Sequence, residues 1–147
     1  MSGIPKEIKI ISFLGLFPFF VGVIATFKLS IIDSSLNLFL MEFSILYSAL
    51  ILSFMGGCLF GFESITEVKI NNLRLWASIT PALWSLVALL IPSFSASMLA
   101  IGFLLVYEFD RKSYLAGMTP EWWLSLRLPL TTMVILSLVV IGFFNEN

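Results

Sequence analysis

Polar and charged positions fall in short clusters along this chain, with long apolar stretches between them. Five stretches stand out, at residues 10–27, 43–62, 73–91, 95–109 and 128–144. A helix that crosses the hydrocarbon core of a bilayer needs roughly 20 mainly apolar residues, so each stretch is expected to be a spanning helix. The third and fourth share one apolar run, interrupted only by Pro92, Ser93, Phe94 and Ser95. Pro92 is expected to stop one helix and Ser95 to cap the next, which makes the pair a tight antiparallel hairpin. The fourth span is the shortest expected. The pattern predicts an all-α fold, an integral membrane helical bundle with five transmembrane helices in one domain over residues 1–147.

The charges then orient the bundle. Lys6 and Lys9 precede the first span, Lys69 and Arg74 lie between the second and third, and Arg111, Lys112 and Arg127 lie between the fourth and fifth. With five spans all seven share one side and only Lys28 is opposite, whereas a four-span arrangement would divide them. The positive-inside rule places the N-terminus in the cytoplasm, or its organellar equivalent, and the C-terminus outside. The first span has a basic start like a signal peptide. Its run is long, however, and Val23-Ile24-Ala25 makes a poor cleavage site, so it is expected to stay as a span.

Composition narrows the chemistry. The chain is 59% hydrophobic and 12% charged, with a mean hydropathy of +1.05. Soluble domains carry about 25% charged residues, so lipid is the solvent that suits this one. Its net charge of −1 gives no basic field for nucleic acid. Cys58 is the sole cysteine, and there is no histidine. That removes the commonest general base and the commonest metal ligand. No spacing suggests a metal, no phosphate loop is present, and no cofactor is implied. Serines are plentiful, but no group is placed to activate one, so the chain is not expected to be an enzyme. No ionisable residue lies mid-membrane, which argues against a proton-coupled transporter.

Four features remain as candidate sites. Ala49, Ser53, Gly57 and Gly61 recur every fourth residue and form a smooth stripe on the second span, widened by Gly56. Helices in lipid associate by close backbone approach, so such a face marks packing within the bundle or docking of a partner. Pro18 and Pro81 are expected to kink the first and third spans, with Ser78 and Thr80 satisfying freed carbonyls. Glu63, Arg74, Asp110, Arg111, Lys112 and Arg127 gather at the cytoplasmic ends of spans. Arg127 lies between Leu126 and Leu128 and needs a carboxylate or a phosphate. Asp110 is the preferred partner and Glu63 the second, while Arg111, Lys112 and Arg127 together could hold an anionic headgroup such as that of cardiolipin. Trp76, Trp122 and Trp123 are expected to anchor at headgroup level. Thr119, Pro120 and Glu121 read as the start of a helix that runs along the interface and bends near Pro129 into the fifth span. Tyr47, Trp84 and Cys58 read as core, Cys58 as a buried thiol.

Taken in order, residues 47–57 (YSALILSFMGG) with Gly61, 74–81 (RLWASITP), 102–111 (GFLLVYEFDR) and 120–131 (PEWWLSLRLPLT) resemble the DUF3429 family of small, transmembrane protein 69-like, multi-span proteins. The resemblance implies a bacterial or mitochondrial inner membrane and carries no established activity. The family's His-Trp pair after the double glycine is replaced here by Leu59 and Phe60, so no role of that histidine transfers. The expected function is that of a non-enzymatic accessory or assembly subunit. It would dock on another integral membrane protein within a larger respiratory or photosynthetic complex. The alternative is a small transporter or channel acting as an oligomer.

Overall fold

Two prolines set the shape of the bundle. Proline lacks the N–H that would bond the carbonyl four residues earlier, and it is tolerated in the first turn of a helix. Each proline therefore begins a new helix, and the break falls two or three residues before it. In the computed structural model, which describes residues 3–27, 33–65 and 72–145, the first span is α1 (Lys6–Leu14) and α2 (Phe17–Thr26), parted at Gly15 and Leu16 ahead of Pro18. The third is α4 (Asn72–Ala77) and α5 (Thr80–Leu90), parted at Ser78 and Ile79 ahead of Pro81. The Ala77 carbonyl, deprived of the missing Pro81 N–H, accepts the Thr80 hydroxyl at 2.7 Å, and the Leu75 carbonyl accepts the Ser78 hydroxyl at 2.6 Å. Thr80→Val keeps the shape and removes one of these donors. It is expected to lower stability by about 1 kcal/mol, the net worth of one such bond, as read from the denaturant midpoint in mixed micelles.

The remaining elements are α3 (Ser34–Ile65), α6 (Ser95–Leu115), entered through a 3₁₀ turn at Pro92–Phe94, and α7 (Trp123–Asn145). By length and hydropathy five helices can span a membrane: Lys6–Thr26, Ser34–Ile65, Asn72–Leu90, Pro92–Leu115 and Trp123–Phe144. α3 packs on α2, α5 and α6, and α7 closes the bundle against α6 and α2. Phe19, Leu52, Leu99, Phe103 and Leu138 meet in the centre, none more than 1% exposed. The rings of Phe19 and Phe103 meet edge-on at 6.4 Å. Gly22 lets α2 cross α3 at contact distance, since a Cβ there would overlap Ser44. Trp84 donates its indole N–H to the Met98 carbonyl at 2.6 Å, tying α5 to α6.

Several expectations change. The fourth span is not the shortest: it has 24 residues against 19 in the third, because its helix continues through the charged residues 108–112. Ser95 does not cap α6. It is the first helical residue, and its hydroxyl donates to the Pro92 carbonyl at 3.0 Å. No separate interfacial helix starts at Pro120. Residues 120–122 form a turn whose Pro120 carbonyl accepts the Trp123 N–H, and α7 then runs unbroken with Pro129 inside it. α3 begins well before residue 43, at Ser34. Lys28 and Lys69, which enter the charge argument, lie outside the described residues.

Candidate functional site

The loop between α6 and α7 brings the site together. α6 ends in a Schellman turn: Gly117 takes φ +71°, its N–H bonds the Tyr114 carbonyl and the Met118 N–H bonds the Ser113 carbonyl. Glycine accepts that left-handed geometry without a steric penalty. The chain reverses at once, so the last turns of α6 face the first turns of α7. Asp110 and Arg127, seventeen residues apart in sequence, meet across this corner.

Both side chains are buried, Asp110 at 2% and Arg127 at 7% exposure. Arg127 Nε donates to Asp110 Oδ2 at 2.7 Å, and Trp123 Nε1 donates to Asp110 Oδ1 at 2.9 Å. Each carboxylate oxygen thus has its own donor, the condition under which a buried charge is tolerated. The Arg127 guanidinium lies 6.0 Å from the centroid of the Trp123 ring, a contact that four-residue spacing on one helix allows. Phe62 of α3 closes on Trp123 edge-on at 4.9 Å. The cluster locks α3, α6 and α7 in register.

A cavity of about 360 Å³ opens beside this lock, lined by α1, α2, α3, α6 and α7. Its wall is apolar and aromatic, with Phe19, Tyr47, Phe103 and Trp123 contributing rings. Arg127 and Thr131 supply its polar side. Arg127 Nη2 and Thr131 Oγ1 are both buried without a hydrogen-bond partner among the described residues. Cys58, expected to be buried, is half-buried on this wall, and so is Tyr47.

The other charged candidates sit elsewhere. Glu63 is buried on a second crevice of about 210 Å³ shared with Arg74 and Lys112. Arg74 Nη1 also reaches Met118 Sδ at 3.6 Å. Arg111 turns outward and pairs with Glu108 at 2.6 Å, apart from the buried cluster. Arg111, Lys112 and Arg127 therefore do not form one headgroup cradle: Arg127 faces inward and is already neutralised. Trp76 is 72% exposed at the basic end of the bundle, Trp122 is half-buried against the core, and Trp123 belongs to the ion-pair lock rather than to the lipid boundary.

The small-residue stripe divides in two. Ala49 is buried, and Ser53 is half-buried with its hydroxyl on the Ala49 carbonyl. Gly56 is the close-approach glycine, where an added Cβ would lie 2.5 Å from the Ser78 carbonyl oxygen and 3.3 Å from Pro81. The break before Pro81 therefore seats against Gly56. At Gly57 and Gly61 such a Cβ would meet no packed neighbour within 4 Å among the described residues, and they notch an outer face flanked by exposed Leu50, Phe54 and Phe60.

Sequence reasoning assigned Trp123 to the boundary and passed over Thr131. The signal for both was their register, because Trp123, Arg127 and Thr131 recur every fourth residue and share one face of α7. Chemically, the cluster offers hydrogen-bond donors to a ligand but no free base, since both Asp110 oxygens are engaged. Among the described residues, no group of three His, Cys, Asp or Glu could hold a metal ion.

The sequence pattern described as "Protein of unknown function (DUF3429)" matches residues 4–143. No curated protein and no solved structure matches the chain.

Proposed function

The chain belongs to the DUF3429 family, and from that premise we propose that it is a non-enzymatic accessory or assembly subunit. In this reading it docks on a larger complex of the bacterial or mitochondrial inner membrane, with its basic end on the cytoplasmic or matrix side. The observation that carries it is the open half of the α3 stripe. Gly56 is filled by the chain's own α4–α5 break, whereas a Cβ at Gly57 or Gly61 would meet no packed neighbour among the described residues. Backbone left open to lipid forgoes the close packing that drives helix association in membranes, so a helix of another membrane protein suits this notch.

Two further observations support the reading. The five spans account for nearly all described residues, leaving little surface for soluble partners. The centre of the bundle is plugged by Phe19, Leu52, Leu99 and Phe103, so the rival transport function would need a pore between copies.

The test is gentle extraction from the native membrane, then native electrophoresis with mass spectrometry of co-migrating proteins. Migration inside an assembly of defined stoichiometry is expected. Gly57→Leu should weaken that association about tenfold, equivalent to about 1.4 kcal/mol, with the fold intact by circular dichroism. Unchanged migration of a folded Gly57→Leu variant would remove the proposal.

A further inference from the structure

The cavity beside the Asp110–Arg127 lock has a size and composition suited to a ligand. At about 360 Å³ it falls in the range of small-molecule sites, which are typically about 300–1,000 Å³ and mostly apolar with a few convergent polar groups. It is bounded by aromatic rings on several helices; Arg127 and Thr131 give its wall on α7 a polar side, and Ser12 and the Tyr47 hydroxyl line it from α1 and α3. Those residues are 6% and 4% exposed, and each holds a buried polar atom without a partner, Nη2 and Oγ1. An uncompensated buried donor is costly, and two on adjacent turns of one helix converge on the same requirement.

We infer that this cavity binds a neutral, membrane-soluble molecule through a carbonyl oxygen, which accepts from Arg127 Nη2 and Thr131 Oγ1 while its apolar body lies among Phe19, Tyr47 and Phe103. The charge state selects neutrality. Asp110 already neutralises Arg127 at 2.7 Å, so a second anion would be desolvated against a pair with no net charge to offer it. A carbonyl needs only the donor. Both atoms are buried on residues that line the cavity, so the proposed contact requires a side-chain rotation that turns them toward the ligand oxygen. A glycerolipid ester and a prenyl quinone both supply this chemistry. The inference does not depend on the docking reading, because Gly57 and Gly61 do not line the cavity.

The test uses the full purified chain in detergent micelles, titrated by native mass spectrometry with four probes. These are dioctanoylglycerol, its dioctyl ether analogue without carbonyls, decylubiquinone and decanoate. A carbonyl-bearing neutral probe is expected to bind saturably, at least fivefold more tightly than the ether. Binding of the diester alone would identify a membrane lipid as the source, and binding of the quinone alone a quinone. Thr131→Val should weaken binding about fivefold, the worth of one net hydrogen bond. Cys58→Phe fills the cavity from its wall while leaving both members of the ion pair in the sequence, and should abolish binding, with helicity unchanged. Equal affinity for the ether, preference for decanoate, or full binding by a folded Cys58→Phe variant would each overturn the assignment.

Discussion

Replacing Arg127 by methionine is expected to destabilise the bundle by about 3–5 kcal/mol, the cost of leaving one member of a buried ion pair alone. Asp110→Leu should cost a similar amount, because it strands the guanidinium and also frees the Trp123 indole that donates to Oδ1 at 2.9 Å. The double variant should recover most of the loss. Apolar replacement of a whole buried pair is often neutral, leaving about 1 kcal/mol for the orphaned indole. The measurement is a double-mutant cycle on equilibrium unfolding in mixed micelles. Strong coupling between the two positions is the expected result, and simple additivity would mean that the two side chains do not stabilise the fold through each other.

The second large effect separates two adjacent glycines. Gly56→Val must push a methyl-bearing carbon onto the backbone carbonyl of Ser78, 2.5 Å from where it would sit. Backbone yields less than a flexible side chain, so the helix break against α3 has to move, and a loss of about 3 kcal/mol is expected. Gly57→Val meets nothing within 4 Å and should change stability by less than about 0.5 kcal/mol. Thermal unfolding of the two variants side by side decides the matter. Equal losses would mean that α3 is rotated relative to the arrangement described here.

These cases show where the sequence was legible. The five spans could be read because hydropathy sums over some twenty residues, and a local error hardly alters such a sum. The ends of the spans could not. α3 runs on through Ser34 to Met41 and α6 through residues 108–112, since helical hydrogen bonding does not stop where apolar composition does. The two proline breaks were readable from the missing N–H, but their positions were not, because proline suits the first turn of the helix that follows. Arg127 announced itself as a charge between leucines, and geometry chose Asp110 over Glu63. Trp123 did not announce itself, since an indole at a span's end has the same composition whether it faces lipid or a carboxylate. Gly56 and Gly57 differ only by the 100° that one residue turns on a helix, which sequence cannot phase without neighbours.

The unequal helices have a consequence for the surrounding lipid. At 1.5 Å per residue the 32 residues of α3 reach about 48 Å, whereas the 19 of the third span reach about 28 Å. The N-terminal end of α3 keeps Leu36, Leu38, Phe39 and Phe43 exposed, with Glu42 among them, so the helix as a whole is longer than the roughly 30 Å of an ordinary hydrocarbon core. A helix longer than the core is accommodated by tilting or by local thickening of the bilayer, and a shorter one by thinning it. Such mismatch costs fractions of a kcal/mol per ångström. That elastic cost would fall wherever α3 adjoined an equally long helix, before any side chains touched.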